Sequence, residues 1–92
     1  MQALNNIAHM YQKGYGVKKD YKKAVAYLQK AAKLKDNVAQ LNLGMAYQKG
    51  KGVERSMDKA LHWYKKAAKN GNVTAKAIYG KIIAKQKKNI EK

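Results

Sequence analysis

The sequence contains no cysteine, no proline and no phenylalanine. Without cysteine the chain cannot form a disulfide, a thiolate metal site or a cysteine nucleophile. No run of apolar residues approaches the ~18 that a membrane-spanning helix requires, so membrane insertion is not expected. Acidic residues are also scarce: five aspartates and glutamates stand against 21 lysines and arginines, and only one of the 21 is an arginine.

The excess of basic residues gives the chain a formal net charge of +16. A coding bias toward lysine would explain the use of lysine instead of arginine, but it would not explain the shortage of aspartate and glutamate. A chain this basic attracts acidic partners, and salt weakens its encounters with them. The charge therefore predicts a partner with an acidic surface.

The N-terminal segment lacks the basic region and the apolar run of a signal peptide. If Met1 is the native start, the chain is expected in the cytoplasm. If an upstream signal has been removed, the chain is expected in the periplasm or outside the cell. The residues present are compatible with both alternatives.

A six-residue stretch occurs twice. Gln-Lys-Gly-Tyr-Gly-Val at 12–17 returns as Gln-Lys-Gly-Lys-Gly-Val at 48–53, which is 36 residues later. The same offset relates Tyr27 to Trp63, and a third, partial copy begins at Ala75. A fixed period of this size is typical of a repeat array in which each unit is one supersecondary element. The sequence therefore predicts a single domain over 1–92 with copies at about 3–38, 39–74 and 75–92.

Each copy contains two helical patterns, because apolar residues recur at spacings of four, seven and eight. Gly14 and Gly50 stand where the first helix of each copy should end in a left-handed turn. Four residues are suited to cap the helices that follow: Asp20, Asp36, Ser56 and Asn72. The sequence thus predicts an all-α chain with helices at about 2–13, 21–34, 37–49, 57–69 and 73–88.

Trp63 occupies the position of Tyr27 on the inward side of its helix. We expect this side chain to be largely buried between its own helix and the layer formed by the third and fifth helices.

The repeated glycine stretch could in principle be a phosphate-binding loop. It follows a predicted helix instead of a strand, and it lacks both the third glycine of a dinucleotide-binding loop and the Gly-Lys-Ser/Thr of a P-loop. Because it also recurs at the repeat period, the sequence predicts a turn between helices.

The second copy resembles the Sel-one-like repeat (SLR) family, which is related to the tetratricopeptide repeats. The resemblance is carried by Ala39, Leu43, Gly44, Tyr47, Gly50, Gly52, Val53, Lys59, Ala60, Trp63, Tyr64, Lys66, Ala67 and Ala68. The first copy has Ala8 in place of the first glycine and Tyr27-Leu28 in place of Trp-Tyr. The third copy matches at Ala75 and Gly80 only.

The resemblance implies a right-handed α-solenoid of about two and a half 36-residue helix-turn-helix repeats. It also implies a concave side that binds other proteins or peptides. Members of the family act as adaptors in bacterial envelope, secretion and host-interaction pathways, and some bacterial members neutralise secreted toxins.

The predicted function is a non-enzymatic protein-interaction module, an adaptor or scaffold, that recognises an acidic or amphipathic protein segment. A bacterial toxin-neutralising protein is the sharper version of this prediction. The alternatives are a nonspecific nucleic-acid-binding basic protein and a fragment of a longer SLR scaffold. The oligomeric state is left open.

No catalytic or metal-binding constellation is evident. His9 and His62 lie in different helix types, and a metal site would need further ligands near either of them. The few acidic residues form no paired-carboxylate pattern, and Asp20 and Asp36 already serve as candidate caps. The sequence therefore predicts no enzyme activity, no cofactor and no metal.

The first helix of each copy has positions that face away from the repeated apolar pattern and differ between copies. In the SLR arrangement the first helices line the inner curve, so these positions are expected to form a shallow partner-binding groove. Leu41 and Met45 are apolar where the fold does not require it, and methionine suits adaptable contact surfaces. The predicted groove consists of Asn5, His9, Gln12, Leu41, Met45, Gln48, Ala77, Lys81 and Ala84.

Overall fold

Five helices follow one another in the computed structural model, which describes the backbone of residues 2–90 and the side chains of residues 4–87. They are α1 (Gln2–Lys13), α2 (Tyr21–Lys33), α3 (Asn37–Lys49), α4 (Met57–Lys69) and α5 (Val73–Ile90). No strand is present in residues 2–90. The prediction of an all-α chain with five helices is confirmed, and no predicted helix end lies more than two residues from the observed one.

The predicted helix caps are all present. The Asp20 carboxylate accepts a hydrogen bond from the Lys23 N–H, and the Ser56 hydroxyl accepts one from the Lys59 N–H. The same geometry holds at Asp36 and Asn72, whose side-chain oxygens accept from backbone N–H groups in the first turns of α3 and α5. Each cap contributes about 1 kcal/mol to stability, so four helix starts are fixed by local chemistry.

The two glycine turns also form as predicted. Gly50 adopts a left-handed conformation with φ of 71°, and its N–H donates to the Ala46 carbonyl at 2.8 Å. Gly14 has the equivalent φ of 74°. In the second turn, a Cβ on Gly52 would collide with the carbonyl oxygen of Tyr21. The turn of the second repeat therefore packs directly on the start of α2.

Each helix packs against the one before it and the one after it. α1 is also joined to the start of α3, where the Asn5 Nδ2 donates to the Asp36 carboxylate at 2.7 Å. The molecule is elongated, with principal dimensions of 48 × 24 × 17 Å. A stack of helical hairpins of this shape confirms the predicted α-solenoid.

The core consists of two clusters of buried residues, and alanine dominates both. Small side chains allow neighbouring helices to approach closely, so that a few larger side chains fill the remaining space. The first cluster joins α1, α2 and α3, and comprises Ala8, Ala24, Val25, Leu28, Ala31, Ala32, Ala39, Leu43 and Ala46. The second joins α4 and α5 and comprises Ala60, Tyr64, Ala67 and Ala75.

The expectation for Trp63 holds only in part. Most of its side chain is buried, but it packs against the first cluster, and the fully buried aromatic residue of α4 is its neighbour Tyr64, at 0% exposure. The repeat register accounts for this. Trp63 corresponds to the partly buried Tyr27, whereas Tyr64 corresponds to Leu28, which is 1% exposed.

Tyr64 lies against a helix that has no side chain at the point of contact. A Cβ built on Gly44 of α3 would lie 2.8 Å from two ring carbons of Tyr64, which is closer than real Cβ atoms approach. The Tyr64 hydroxyl donates to the Gln48 Oε1 at 2.5 Å. The glycine therefore admits the ring, and Gln48 satisfies its polar end.

Candidate interaction surface

The nine residues of the predicted groove lie on α1, α3 and α5, one set of three on each helix. Their side chains differ in how much they offer to a partner. His9, Ala77, Lys81 and Ala84 are exposed, whereas Asn5, Gln12, Leu41, Met45 and Gln48 are partly buried.

The prediction that the fold does not require Leu41 and Met45 is wrong. Both side chains pack against the second core cluster and help to join α3 to α4 and α5. Gln48 is also engaged, because it accepts the hydrogen bond from the Tyr64 hydroxyl. These three positions of α3 therefore contribute to the packing of α3 against α4 and α5, and their part in partner binding remains a prediction.

The α1 portion of the predicted groove is similarly divided. Asn5 connects α1 to α3 through its bond to Asp36, and its Oδ1 is buried without a hydrogen-bond partner. His9 is exposed, and its ring meets the Tyr15 ring edge-on, with centroids 5.7 Å apart. Gln12 lies at the edge of a pocket between α1 and α3.

The α1–α3 pocket overlaps part of the predicted groove. It has a volume of about 200 Å³ and includes two of the predicted residues, Gln12 and Met45. Tyr21, at the start of α2, adds an aromatic ring. Around these residues the wall is basic, since Lys13, Lys49 and Lys51 also line the pocket. The pocket therefore combines an apolar contact, an aromatic ring and a ring of positive charge.

Tyr21 lies between lysines from two different repeats. The Lys19 ammonium lies 5.0 Å from the ring centroid and the Lys51 ammonium 5.3 Å from it. The hydrogen bond from Lys19, together with the positive charge of Lys19 and Lys51, lowers the pKa of the Tyr21 hydroxyl. The pocket therefore has a positive electrostatic potential at its aromatic edge.

Other lysines pair with aromatic rings in both repeats. Lys30 lies over Tyr27 at 5.7 Å, and Lys66, one repeat later, lies over Trp63 at 5.2 Å. Lys23 over Tyr11 and Lys59 over Tyr47, both at 5.5 Å, form a second equivalent set. Sequence analysis missed these pairs. A signal was available for the first set, because a lysine three residues after an aromatic residue lies on the same helix face.

The described side chains form no cluster of potential metal ligands. Within residues 4–87, no group of three or more histidine, aspartate or glutamate side chains is placed to hold a metal ion. Among the helices of residues 2–90, none has the length and apolarity needed to cross a membrane. What the surface does offer is a basic pocket with aromatic and apolar contacts.

The stacked helical hairpins identify the protein as a helical-repeat scaffold. The basic pocket lies between the first helices of the two complete repeats. The chain belongs to the Sel1 repeat family, since the Sel1 repeat model matches residues 2–36 and 37–72. Sel1 repeat proteins are helical scaffolds for protein interaction and are generally non-catalytic. No curated relative matches the sequence significantly.

Solved structures of related proteins share the fold. A Sel1 repeat protein from Oxalobacter formigenes is 36% identical with a TM-score of 0.90 over 92% of this chain. Helicobacter pylori cysteine rich protein B (hcpB) is 34% identical with a TM-score of 0.81 over 84% of this chain. The uropathogenic Escherichia coli protective antigen c5321, which displays an SLR fold, is 40% identical with a TM-score of 0.79 over 80% of this chain.

The relatives are longer than the segment they share with this chain. The chain spans 35% of the Oxalobacter formigenes protein, 58% of the Helicobacter pylori protein and 16% of the Escherichia coli antigen. The likeness therefore concerns the repeat scaffold and does not extend to the whole of those proteins.

Proposed function

We propose that this chain is a non-enzymatic adaptor or scaffold that binds an acidic or amphipathic protein segment in the groove along α1, α3 and α5. The observation that carries the proposal is the α1–α3 pocket, which brings Gln12 and Met45 together with Tyr21. The pocket supplies what a short acidic segment needs, namely an apolar contact and nearby positive charge.

The chemistry of the pocket divides between its centre and its rim. An apolar side chain of the partner would contact Met45 and the ring of Tyr21, and desolvated contacts of this kind set the dissociation rate. Partner carboxylates would lie near Lys13, Lys49 and Lys51. These lysines are exposed, so they accelerate association in a salt-dependent manner.

The bacterial sources of the related structures support a bacterial setting for this function. Within that setting, neutralisation of a toxin through the same groove is the more specific form of the proposal. Its cheapest test is the identity of the captured partner, because an adaptor and a neutralising protein use the same surface on different targets.

Two alternatives remain in competition with an isolated adaptor. The net charge of +16 favours nonspecific binding to nucleic acid phosphates. The pocket is lined by lysines and not by the arginine forks that commonly mediate base recognition, so binding of this kind would not depend on base sequence. The second alternative is a segment of a longer SLR scaffold, which is supported by the part of each relative's length that the chain spans.

The experiment compares two charge-neutralising variants in capture from a bacterial lysate, with and without nuclease. Lys49→Gln with Lys51→Gln alters the pocket, and Lys30→Gln with Lys65→Gln removes the same charge from exposed positions of α2 and α4, outside the groove. The pocket variant should bind a purified captured partner about tenfold more weakly, and the second variant should bind it nearly as well as the parent chain.

Two results would contradict the proposal. If nuclease releases all bound material, the chain binds nucleic acid. If both variants lose affinity equally, binding follows the total charge and not the pocket. Circular dichroism of both variants serves as the control that the helices remain folded.

A further inference from the structure

A second pocket lies between α2 and α4, at the opposite end of α3 from the α1–α3 pocket. It has a volume of about 380 Å³ and is built around Trp63, with Ala32 of α2 and Gln40 of α3 among its lining residues. We call it the Trp63 pocket. None of its residues belongs to the predicted groove or to the α1–α3 pocket.

The floor of the Trp63 pocket is rigidly held. Gln40 is a polar residue with only 2% of its surface exposed. Its Nε2 donates to the Ala32 carbonyl at 3.1 Å, and its Oε1 accepts from the Asn70 Nδ2 at 3.0 Å. The Asn70 carbonyl accepts in turn from Asn37 at 3.2 Å. This network connects the ends of α2 and α4 to the start of α3, so the pocket is organised before any ligand binds.

The wall of the pocket is strongly basic. Four lysines line it, from the ends of α2 and α4 and the turn between α2 and α3: Lys33, Lys35, Lys66 and Lys69. The helix dipole favours positive charge at the C-terminal end of a helix, which accounts for the lysines within α2 and α4. Lys35 lies outside the helices, just after the C-cap of α2, with φ of 68°. Four cations around one pocket attract anionic groups.

Trp63 provides the apolar surface among these charges. Its ring is partly buried, the Lys66 ammonium lies 5.2 Å from it, and the His62 ring meets it edge-on at 5.3 Å. A tryptophan beside a buried floor and a basic wall matches a ligand that carries an apolar group flanked by negative charges.

We propose that the Trp63 pocket is a second binding site, for an acidic peptide segment with one large apolar side chain. That side chain lies against Trp63 and Ala32, and carboxylates on either side of it pair with Lys33, Lys66 and their neighbours. The site does not depend on the proposed groove, because the two share no residue.

The geometry favours a peptide over single-stranded nucleic acid. Proteins that bind single strands use successive aromatic platforms along a basic groove, whereas this pocket has one aromatic ring. Lysines act as point charges that suit carboxylates on a flexible chain, and the arginine forks that match phosphates bidentately are absent from the pocket lining.

The test uses the fluorescence of the chain's single tryptophan. The probe is a synthetic peptide with one phenylalanine between pairs of glutamates, and the reference peptide has glutamine in place of each glutamate. The glutamate peptide should change the emission in a saturable manner, and the glutamine peptide should not.

Matched variants locate the site. Lys66→Gln with Lys69→Gln should weaken binding of the glutamate peptide about tenfold. Lys18→Gln with Lys22→Gln removes the same charge from exposed positions outside both pockets and should change the affinity less than twofold. The comparison uses titration midpoints, because Lys66 also affects the emission of the free protein.

Three results would overturn the proposal. The first is the absence of a saturable change with the glutamate peptide. The second is an equal loss of affinity in both double variants, which would indicate a general charge effect. The third is tighter binding of an oligothymidine that is lost only in the Lys66 and Lys69 variant, which would make the pocket a nucleic-acid site.

Discussion

The two complete repeats fill the space between their first and second helices with side chains of different size. In the first repeat Leu28 is the large buried residue of the second helix, and the facing position on the first helix is Ala8. In the second repeat the buried residue is Tyr64, and the facing position is Gly44. The larger side chain thus occurs together with the smaller neighbour, so the volume of the pair is roughly maintained.

The third copy contains an equivalent of Gly44 that has no buried side chain against it, which helps to explain the role of Gly44. Gly80 corresponds to Gly44, but a Cβ placed on it would meet nothing within 4 Å, because no helix packs on this part of α5. Helix-interior glycine costs about 1 kcal/mol relative to alanine. At Gly44 the burial of the Tyr64 ring offsets this cost, whereas at Gly80 the structure described provides no such compensation.

The repeats also differ where their second helices end. Leu34 of the first repeat is 58% exposed. Its counterpart Asn70 donates a hydrogen bond to Gln40 and accepts one from Asn37. The two helices of the second repeat are therefore linked by polar contacts that Leu34 cannot make in the first repeat.

Among the predicted changes, loss of the Tyr64 ring should lower the free energy of unfolding most. Tyr64→Ala should lower the free energy of unfolding by about 3–5 kcal/mol, since it leaves a large cavity and deprives Gln48 of a donor. Leu28→Ala, the matching change in the first repeat, should cost about 1 kcal/mol less. Urea unfolding followed by circular dichroism measures both values. A larger loss for Leu28→Ala would contradict the assignment of Tyr64 as the main buried side chain.

The two glycine turns provide a second comparison. Gly16 and Gly52 are equivalent and both have positive φ, 73° and 79°, so alanine at either site should cost about 1–2 kcal/mol. Only at Gly52 does the added Cβ collide with Tyr21, which should add about 1–3 kcal/mol. Unfolding curves of the two variants should differ by that amount, and equal losses would show that the turn can move away from α2.

A smaller loss of stability is expected when the end of α4 in the second repeat is changed to resemble the end of α2 in the first. Asn70→Leu removes the donor to the buried Gln40 Oε1 and should cost about 1–3 kcal/mol. The reverse change, Leu34→Asn, affects an exposed side chain and should stay within about 0.5 kcal/mol. Thermal unfolding of the two variants measures the difference between their stability losses. If both changes proved neutral, the prediction for Asn70 would be contradicted.

The smallest effect depends on pH. Burial raises the pKa of Tyr64 from 10.0 to about 12. Tyr64 is protonated in both states below pH 10, so its contribution to stability is complete there. Between pH 10 and 12 the unfolded chain releases this proton and the folded chain retains it, so stability falls as the pH rises.

Tyr64→Phe is the variant that isolates this titration. At neutral pH it should lose about 1 kcal/mol through the missing hydrogen bond to Gln48. From pH 10 to 12 the stability difference between parent and variant should shrink, because phenylalanine has no proton to release. A difference that stays constant across this range would mean that Tyr64 titrates normally in the folded chain.

The sequence predicted the fold through features that are local or periodic. Helix caps such as Asp20 and turn glycines such as Gly50 act on their own neighbours, so their roles can be inferred without tertiary structure. The repeat period then places one helix pair relative to the next. This is why the five helix ranges were predicted to within two residues.

Which side chains of a helix enter the core was harder to predict from the sequence than the helix ranges were. Trp63 and Tyr64 are separated by about 100° of helix rotation, and both suit an apolar stripe. Which of them enters the core depends on Gly44 of another helix, and this contact has no local signal. The same holds for the buried Gln40, which sequence analysis did not select because a glutamine at a helix start is normally exposed.

The groove prediction was limited by the same cause. Repeated positions were assigned to the core, and positions that vary were assigned to a partner. Leu41 and Met45 vary between copies and still pack against the second cluster, because that cluster contains Tyr64 and differs from the first. Variation between repeats therefore reflects differences in packing as well as differences in binding.

The most direct test of the pairing between Gly44 and Tyr64 is a double-mutant cycle. The free energy of unfolding is measured for the parent chain, Gly44→Ala, Tyr64→Leu and the double variant, with Gly80→Ala as the control for helix propensity. Gly80→Ala should stabilise by about 1 kcal/mol, and Gly44→Ala should fail to do so because its Cβ meets the Tyr64 ring. The double variant, which reproduces the first repeat, should be more stable than the sum of the single changes by about 1–3 kcal/mol. Additive single changes, or a Gly44→Ala variant stabilised as much as Gly80→Ala, would contradict the account.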